Sequence, residues 1–135
     1  MTAAELHIES TPYIESTPSR EDDLIFRARE ARDDCGLFEL FNEEGFLHDA
    51  AARGPFASCE DMRVWLEGVV AAQRFEIVGV LRGKVVGFGG LYTLGDGQSH
   101  SGWVMLGVRE AFQRRGIGAI LMHMLIATAQ VFVRL

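Results

Sequence analysis

The stretch Val104-Met105-Leu106-Gly107-Val108-Arg109-Glu110-Ala111-Phe112-Gln113-Arg114-Arg115-Gly116-Ile117-Gly118-Ala119-Ile120-Leu121 decides how this chain is read. An apolar run ends near Val108, and apolar residues at helical spacing begin near Gly116. A strand therefore passes into a helix through the turn between them. The first amides of a helix have no partner inside it and lie at the positive end of the helix dipole. A diphosphate accepts hydrogen bonds from such amides. The backbone must then come within about 3 Å of the phosphate oxygens, with no side chain in the way. Gly116 and Gly118 meet both conditions. Arg114 and Arg115 add positive charge at the same place, and residues 111–135 contain no acid.

Three phosphate-binding turns compete for this pattern. A Walker loop needs Gly-Lys-Ser/Thr, and the only lysine, Lys84, lies in another turn. A dinucleotide fingerprint needs a third glycine where Leu121 stands, and an acid about 20 residues later, which is lacking. The third is an acyl-CoA turn. Gln113-x-x-Gly116-x-Gly118, preceded by Leu106-Gly107-Val108, resembles the acyl-CoA signature of the GCN5-related N-acetyltransferase family. The resemblance covers roughly residues 22–135.

The resemblance implies an acetyl-CoA-dependent N-acetyltransferase, with acetyl-CoA as co-substrate and an amine of a small molecule or protein as acceptor. Backbone groups of Leu106, Gly107 and Val108 would pair with the pantetheine arm. Gln113, Arg114, Arg115, Gly116, Ile117, Gly118 and Ala119 would hold the pyrophosphate. The strand carrying Val108 would part from the next one to admit the thioester. Acyl transfer also needs a neutral amine, a general base or a water chain acting as one, and a donor for the thioester oxyanion. The family supplies that donor from a backbone amide, here Val108 or a neighbour. The chain stops before the family's usual C-terminal part, so the Asn and Tyr commonly found there are not carried over. A fragment, a sheet completed by a second chain in a homodimer, and a non-catalytic acyl-CoA-binding remnant are the three readings of that departure.

Working outward from the turn, Phe75 to Leu81, Val85 to Thr93 and Trp103 to Val108 read as strands. Arg82-Gly83-Lys84 reads as a tight connection, because glycine tolerates positive φ. Gly87, Gly89 and Gly90 signal a bulge or a close backbone approach. Upstream, Leu24-Ile25-Phe26 reads as a short strand and residues 30–42 as a helix. Ser58 is an N-cap for a helix ending near Ala72. The last helix is expected from Gly116 to about Gln130, with 131–135 opening a further, parallel-like strand. The fold class is α+β: a mixed, mostly antiparallel sheet flanked by helices. Residues 1–21, with Ile8-Glu9-Ser10-Thr11-Pro12 repeated at Ile14-Glu15-Ser16-Thr17-Pro18, read as a flexible tail. Residues 22–135 form the domain.

Bulk properties narrow the function classes. The 135 residues suit one domain, and 48% hydrophobic content suits a soluble core. The net charge of -6 argues against nucleic acid. Residues 1–76 hold 17 acids and 7 bases, a net of -10, and residues 77–135 hold 2 acids and 6 bases, a net of +4. An anionic ligand belongs with the second group. Cys35 and Cys59 lack a CxxC pattern, so no metal site is expected, and reduced cytoplasmic thiols are the default, with a single disulfide the alternative. Residues 116–133 are apolar enough to consider as a membrane anchor, but His123 and Gln130 interrupt them, so no membrane is expected.

Candidate catalytic side chains are few, and each has a plainer reading. His100 titrates near neutrality and precedes a strand; it is either a base or a surface histidine. Glu76 either faces an acceptor cleft or sits in the sheet. Tyr92 is either a proton donor to the departing thiolate or half-buried packing. Glu110 reads as a solvated loop acid and His123 as an ordinary helix histidine. Trp65 and Phe41 read as core.

Overall fold

The computed structural model describes residues 6–8, 23–43, 55–94 and 101–134. In chain order they form β1 (Leu6–Ile8), β2 (Leu24–Ala28), a 3-10 turn at Ala31–Asp33, α1 (Asp34–Phe41) and α2 (Cys59–Glu67). There follow β3 (Gln73–Leu81), β4 (Lys84–Leu94), β5 (Ser101–Val108), a second 3-10 turn at Glu110–Phe112, and α3 (Ile117–Arg134). The strands make one sheet in the order β1-β2-β3-β4-β5, each neighbouring pair antiparallel. The α+β class follows.

Local chemistry accounts for most boundaries. Arg82 and Gly83 both take positive φ, 54° and 76°, the pair of values that a tight hairpin with right-handed strand twist requires. Ser58 caps α2 by accepting from the Asp61 amide at 3.1 Å. That helix stops at Glu67, short of Ala72, because Gly68 is a poor helix former. Gly79 faces Gly87 while Val80 faces Val85, so Val86 is an extra residue on β4, and the ladder bulges there.

The sheet has two covered faces. On one, α1 and α2 bury Leu37, Leu40, Phe41, Met62 and Leu66 against Val78, Phe88, Tyr92 and Met105. On the other, α3 buries Ile117, Leu121 and Leu125 against Phe26, Ile77, Val86 and Leu91. Those three helix residues recur every four positions and share one face. The glycines of β4 make their seat: a Cβ on Gly87 would lie 3.0 Å from Leu121 Cδ1, and one on Gly89 would lie 3.3 Å from Leu125 Cδ1. No helix among the described residues is long and apolar enough to cross a membrane.

Three expectations are corrected. The strand expected at 131–135 is absent from 131–134, which continue α3. Val131-Phe132-Val133 favours strand locally, but no glycine or proline ends the helix before it. The described sheet is accordingly antiparallel throughout rather than mixed. Second, Leu6–Ile8, assigned to the tail, pair with β2 as an edge strand; the IESTP repeat otherwise lies outside the described residues. Third, Cys35 and Cys59 are joined in a disulfide, with Cα atoms 5.2 Å apart. Their separation of 24 residues carries no motif. Only the packing of α1 on α2 brings them together.

Candidate functional site

The site begins with the connection from β5 to α3, which a buried arginine bolts in place. Arg109 donates from its backbone amide to Val86 O at 2.8 Å and from Nε to Val85 O at 2.7 Å. Its guanidinium also reaches Gly36 O at 3.2 Å and Glu39 Oε1 at 2.8 Å on α1. Glu43 accepts from the next amide, that of Glu110, at 2.7 Å. The turn beyond is thus fixed to both the bulge of β4 and α1.

Within the turn, Arg114 has φ 66° and Gly116 has φ 84°. The Ile120 amide donates to Gly116 O at 3.0 Å, which makes Gly116 the N-cap of α3. A glycine cap supplies no side-chain acceptor for the amides of Ile117, Gly118 and Ala119, which open the helix. Nothing lies within 4 Å of a Cβ placed on Gly116, and the nearest atom to one on Gly118 is Val108 Cγ2 at 3.6 Å. Arg114 and Arg115 are exposed beside this helix end. Among the described residues neither has a carboxylate partner, and Arg115 lies over the Phe112 ring at 5.2 Å.

The second component is the outer edge of β5, the last strand of the described sheet. In an antiparallel ladder, alternate residues turn both backbone groups toward the partner strand. Arg109 donates to Val86, and the β5 register places Gly107 opposite Phe88. Trp103, Met105 and Gly107 therefore face β4 with their amides and carbonyls. Gly102, Val104, Leu106 and Val108 direct theirs to the open side. Gln113 Nε2 donates to Val108 O at 3.1 Å from that side. Of the three residues expected to meet a pantetheine arm, Leu106 and Val108 present main-chain groups outward, and Gly107 does not.

Two candidate catalytic side chains come together. Tyr92 Oη donates to Glu76 Oε2 at 2.7 Å. Glu76 Oε1 accepts from Arg29 at 3.1 Å, and Arg29 bridges to Asp34 at 3.0 Å. Burial, and then the Glu76 charge and hydrogen bond, push the Tyr92 pKa upward. Burial opposes the charge on Arg29, but Glu76 and Asp34 raise its pKa above the ordinary value. Tyr92 is fully buried, and its ring stacks on Trp103 at 4.6 Å. His100 lies outside the described residues. Glu110 and His123 are exposed.

Arg29, Arg109 and Trp103 were not singled out from the sequence. Each of the first two directly follows an apolar strand and precedes a glutamate, which is the only signal they give. Trp103 gives none beyond its place on a strand.

The chain matches the model of the acetyltransferase (GNAT) family over residues 36–132. No curated protein matches the sequence. Among solved structures, a GCN5-related N-acetyltransferase from Kribbella flavida shares 26% identity at TM-score 0.64, over 83% of this chain and 67% of that one. The Salmonella typhimurium protein yncA, solved with its cofactor acetyl-CoA, shares 23% identity at TM-score 0.63, over 79% of this chain and 63% of that one. A ribosomal-protein-alanine N-acetyltransferase from Brucella melitensis shares 23% identity at TM-score 0.59, over 78% and 66%. The chain thus spans about two thirds of the length of these structures.

Proposed function

Because the chain belongs to the acetyltransferase (GNAT) family, we propose that it transfers the acetyl group of acetyl-CoA directly to an amine of a small molecule or protein. One observation carries this reading. A helix end capped by Gly116 at φ 84°, beside two exposed arginines, adjoins a strand whose outer edge has no further strand among the described residues.

The amides of Ile117, Gly118 and Ala119 take the pyrophosphate, with Arg114 and Arg115 supplying charge and Gln113 holding Val108 O in place. The outward groups of Leu106 and Val108 take the pantetheine arm, and Gly107 serves as the link between them. Acetyl-CoA supplies an activated acyl group as a thioester. An outward amide of the same strand, a neighbour of Val108 at the acyl end of the arm, suits the oxyanion donor. Glu76 and Tyr92 are occupied by each other and by Arg29, which favours His100 or a water chain for removing the amine proton.

The open β5 edge favours a second reading, a non-catalytic chain that binds acyl-CoA or pairs its edge with a second copy. A cytoplasmic location belongs to the proposal, but the reducing cytoplasm opposes the Cys35–Cys59 bond; titrating the two thiols in protein isolated under thiol-blocking conditions decides whether the bond forms there.

Acetyl-CoA should raise the Tm of the chain in a titration, and Gly116→Asp should remove that rise by placing a carboxylate at the helix end. An unchanged rise in the variant would sink the pyrophosphate assignment. Release of free thiol over an amine panel separates the readings: binding without release in any amine would favour the second.

A further inference from the structure

We propose that Trp103 is the acceptor-side contact of this site and selects amines that carry an aromatic or other flat apolar group. The inference rests on the acyl-CoA reading and deepens it. With the pyrophosphate at the Val108 end of β5, an arm laid along the open edge runs toward the start of the strand. Trp103 stands there, 39% exposed, with Leu94 on the same face at 42%, while Val104, 44% exposed, turns to the α3 face. The acyl end meets an apolar surface.

Trp103 is held while it is exposed. Its indole stacks on Tyr92 with ring centroids 4.6 Å apart and planes 26° apart. Tyr92 is fixed in turn by Glu76 at 2.7 Å, Glu76 by Arg29 at 3.1 Å, and Arg29 by Asp34 of α1. Arg74 lies over the Tyr92 ring at 5.7 Å. Gly90 leaves the space this ring needs, since a Cβ there would stand 2.5 Å from Tyr92 Oη. This buried chain of polar contacts ends under the one aromatic ring on β5. Its effect is to present the indole in one orientation, so that a flat group can stack on it with little loss of side-chain freedom. Tyr92 and Glu76 are positioning residues in this account.

The test uses the full chain. Trp65→Phe leaves Trp103 as the single tryptophan of the original two. Titration with 2-phenylethylamine should shift its emission at concentrations where n-butylamine leaves it unmoved. In steady-state acetylation, the wild type should favour 2-phenylethylamine over n-butylamine in kcat/KM by about three- to tenfold, the range of one aromatic contact. Trp103→Ala should bring the two amines level, Trp103→Phe should keep most of the preference, and KM for acetyl-CoA should stay within about twofold in both. Tyr92→Phe should raise KM for 2-phenylethylamine alone; an equal loss for both amines would mark it as merely structural and remove the positioning role. Emission unmoved by 2-phenylethylamine, emission moved equally by both amines, or an unchanged preference in Trp103→Ala overturns the proposal. A calorimetric titration with acetyl-CoA is read separately. Its failure would count against the cofactor site, whereas the emission response reads Trp103 itself.

Discussion

At the scale of single residues, the two glycines of the turn look interchangeable in the sequence and are not so in the structure. Gly116 is the N-cap at φ 84°, a conformation that costs an L-residue roughly 1–2 kcal/mol. Gly118 lies inside α3, where a methyl would meet only Val108 Cγ2 at 3.6 Å. Gly116→Ala should therefore lower the unfolding free energy by about 1 kcal/mol. Gly118→Ala should leave it unchanged or raise it by up to about 1 kcal/mol, because alanine is the better helix former. Urea unfolding of the two variants checks this, and equal losses would contradict the division. The residue-by-residue site was only partly legible. The glycine and arginine spacing pointed to the turn, since main-chain geometry imposes it locally. The Arg29–Glu76–Tyr92 chain could not be read, because its members are 47 and 16 residues apart and meet only through the sheet register.

At the scale of elements, α3 is held by its fit to the glycine groove of β4. Leu121 is fully buried there, whereas Ile126 on the opposite side is 51% exposed. Leu121→Ala should cost about 2–5 kcal/mol, and Ile126→Ala less than about 0.5 kcal/mol. Denaturant midpoints distinguish the two, and similar shifts would mean that α3 is not seated as described. The same helix shows where the sequence misleads. Its start was legible from Gly116, but its end was not, because Val131-Phe132-Val133 has strand character while helix propagation simply continues through it. Strands β3, β4 and β5 were legible because the alternation and the hairpin glycine agree with the final ladder. The short β1 escaped notice, since three residues are too few to show a period.

At the scale of the whole molecule, the disulfide ties together the two helices that cover one face. Cys35 lies in the first turn of α1 and Cys59 is the first residue of α2, so the bond spans a separation of 24 residues and joins the two helices near their starts. A loop of this length corresponds to about 3 kcal/mol of chain entropy removed from the unfolded state. Under oxidising conditions, reduction or Cys35→Ser should lower Tm by several degrees, and a reducing agent should then have no further effect on the variant. Calorimetry with and without reductant decides it; a wild-type Tm indifferent to reductant would show that the bond does not form in solution.

On the proposed reading, the ligand lies along the outer edge of β5. What Leu106 and Val108 offer a ligand there is main chain, which every residue type except proline carries in the same form. Their side chains answer only to the α3 side of the core. On that reading, recognition through the backbone leaves both side chains free to vary, provided that neither becomes proline.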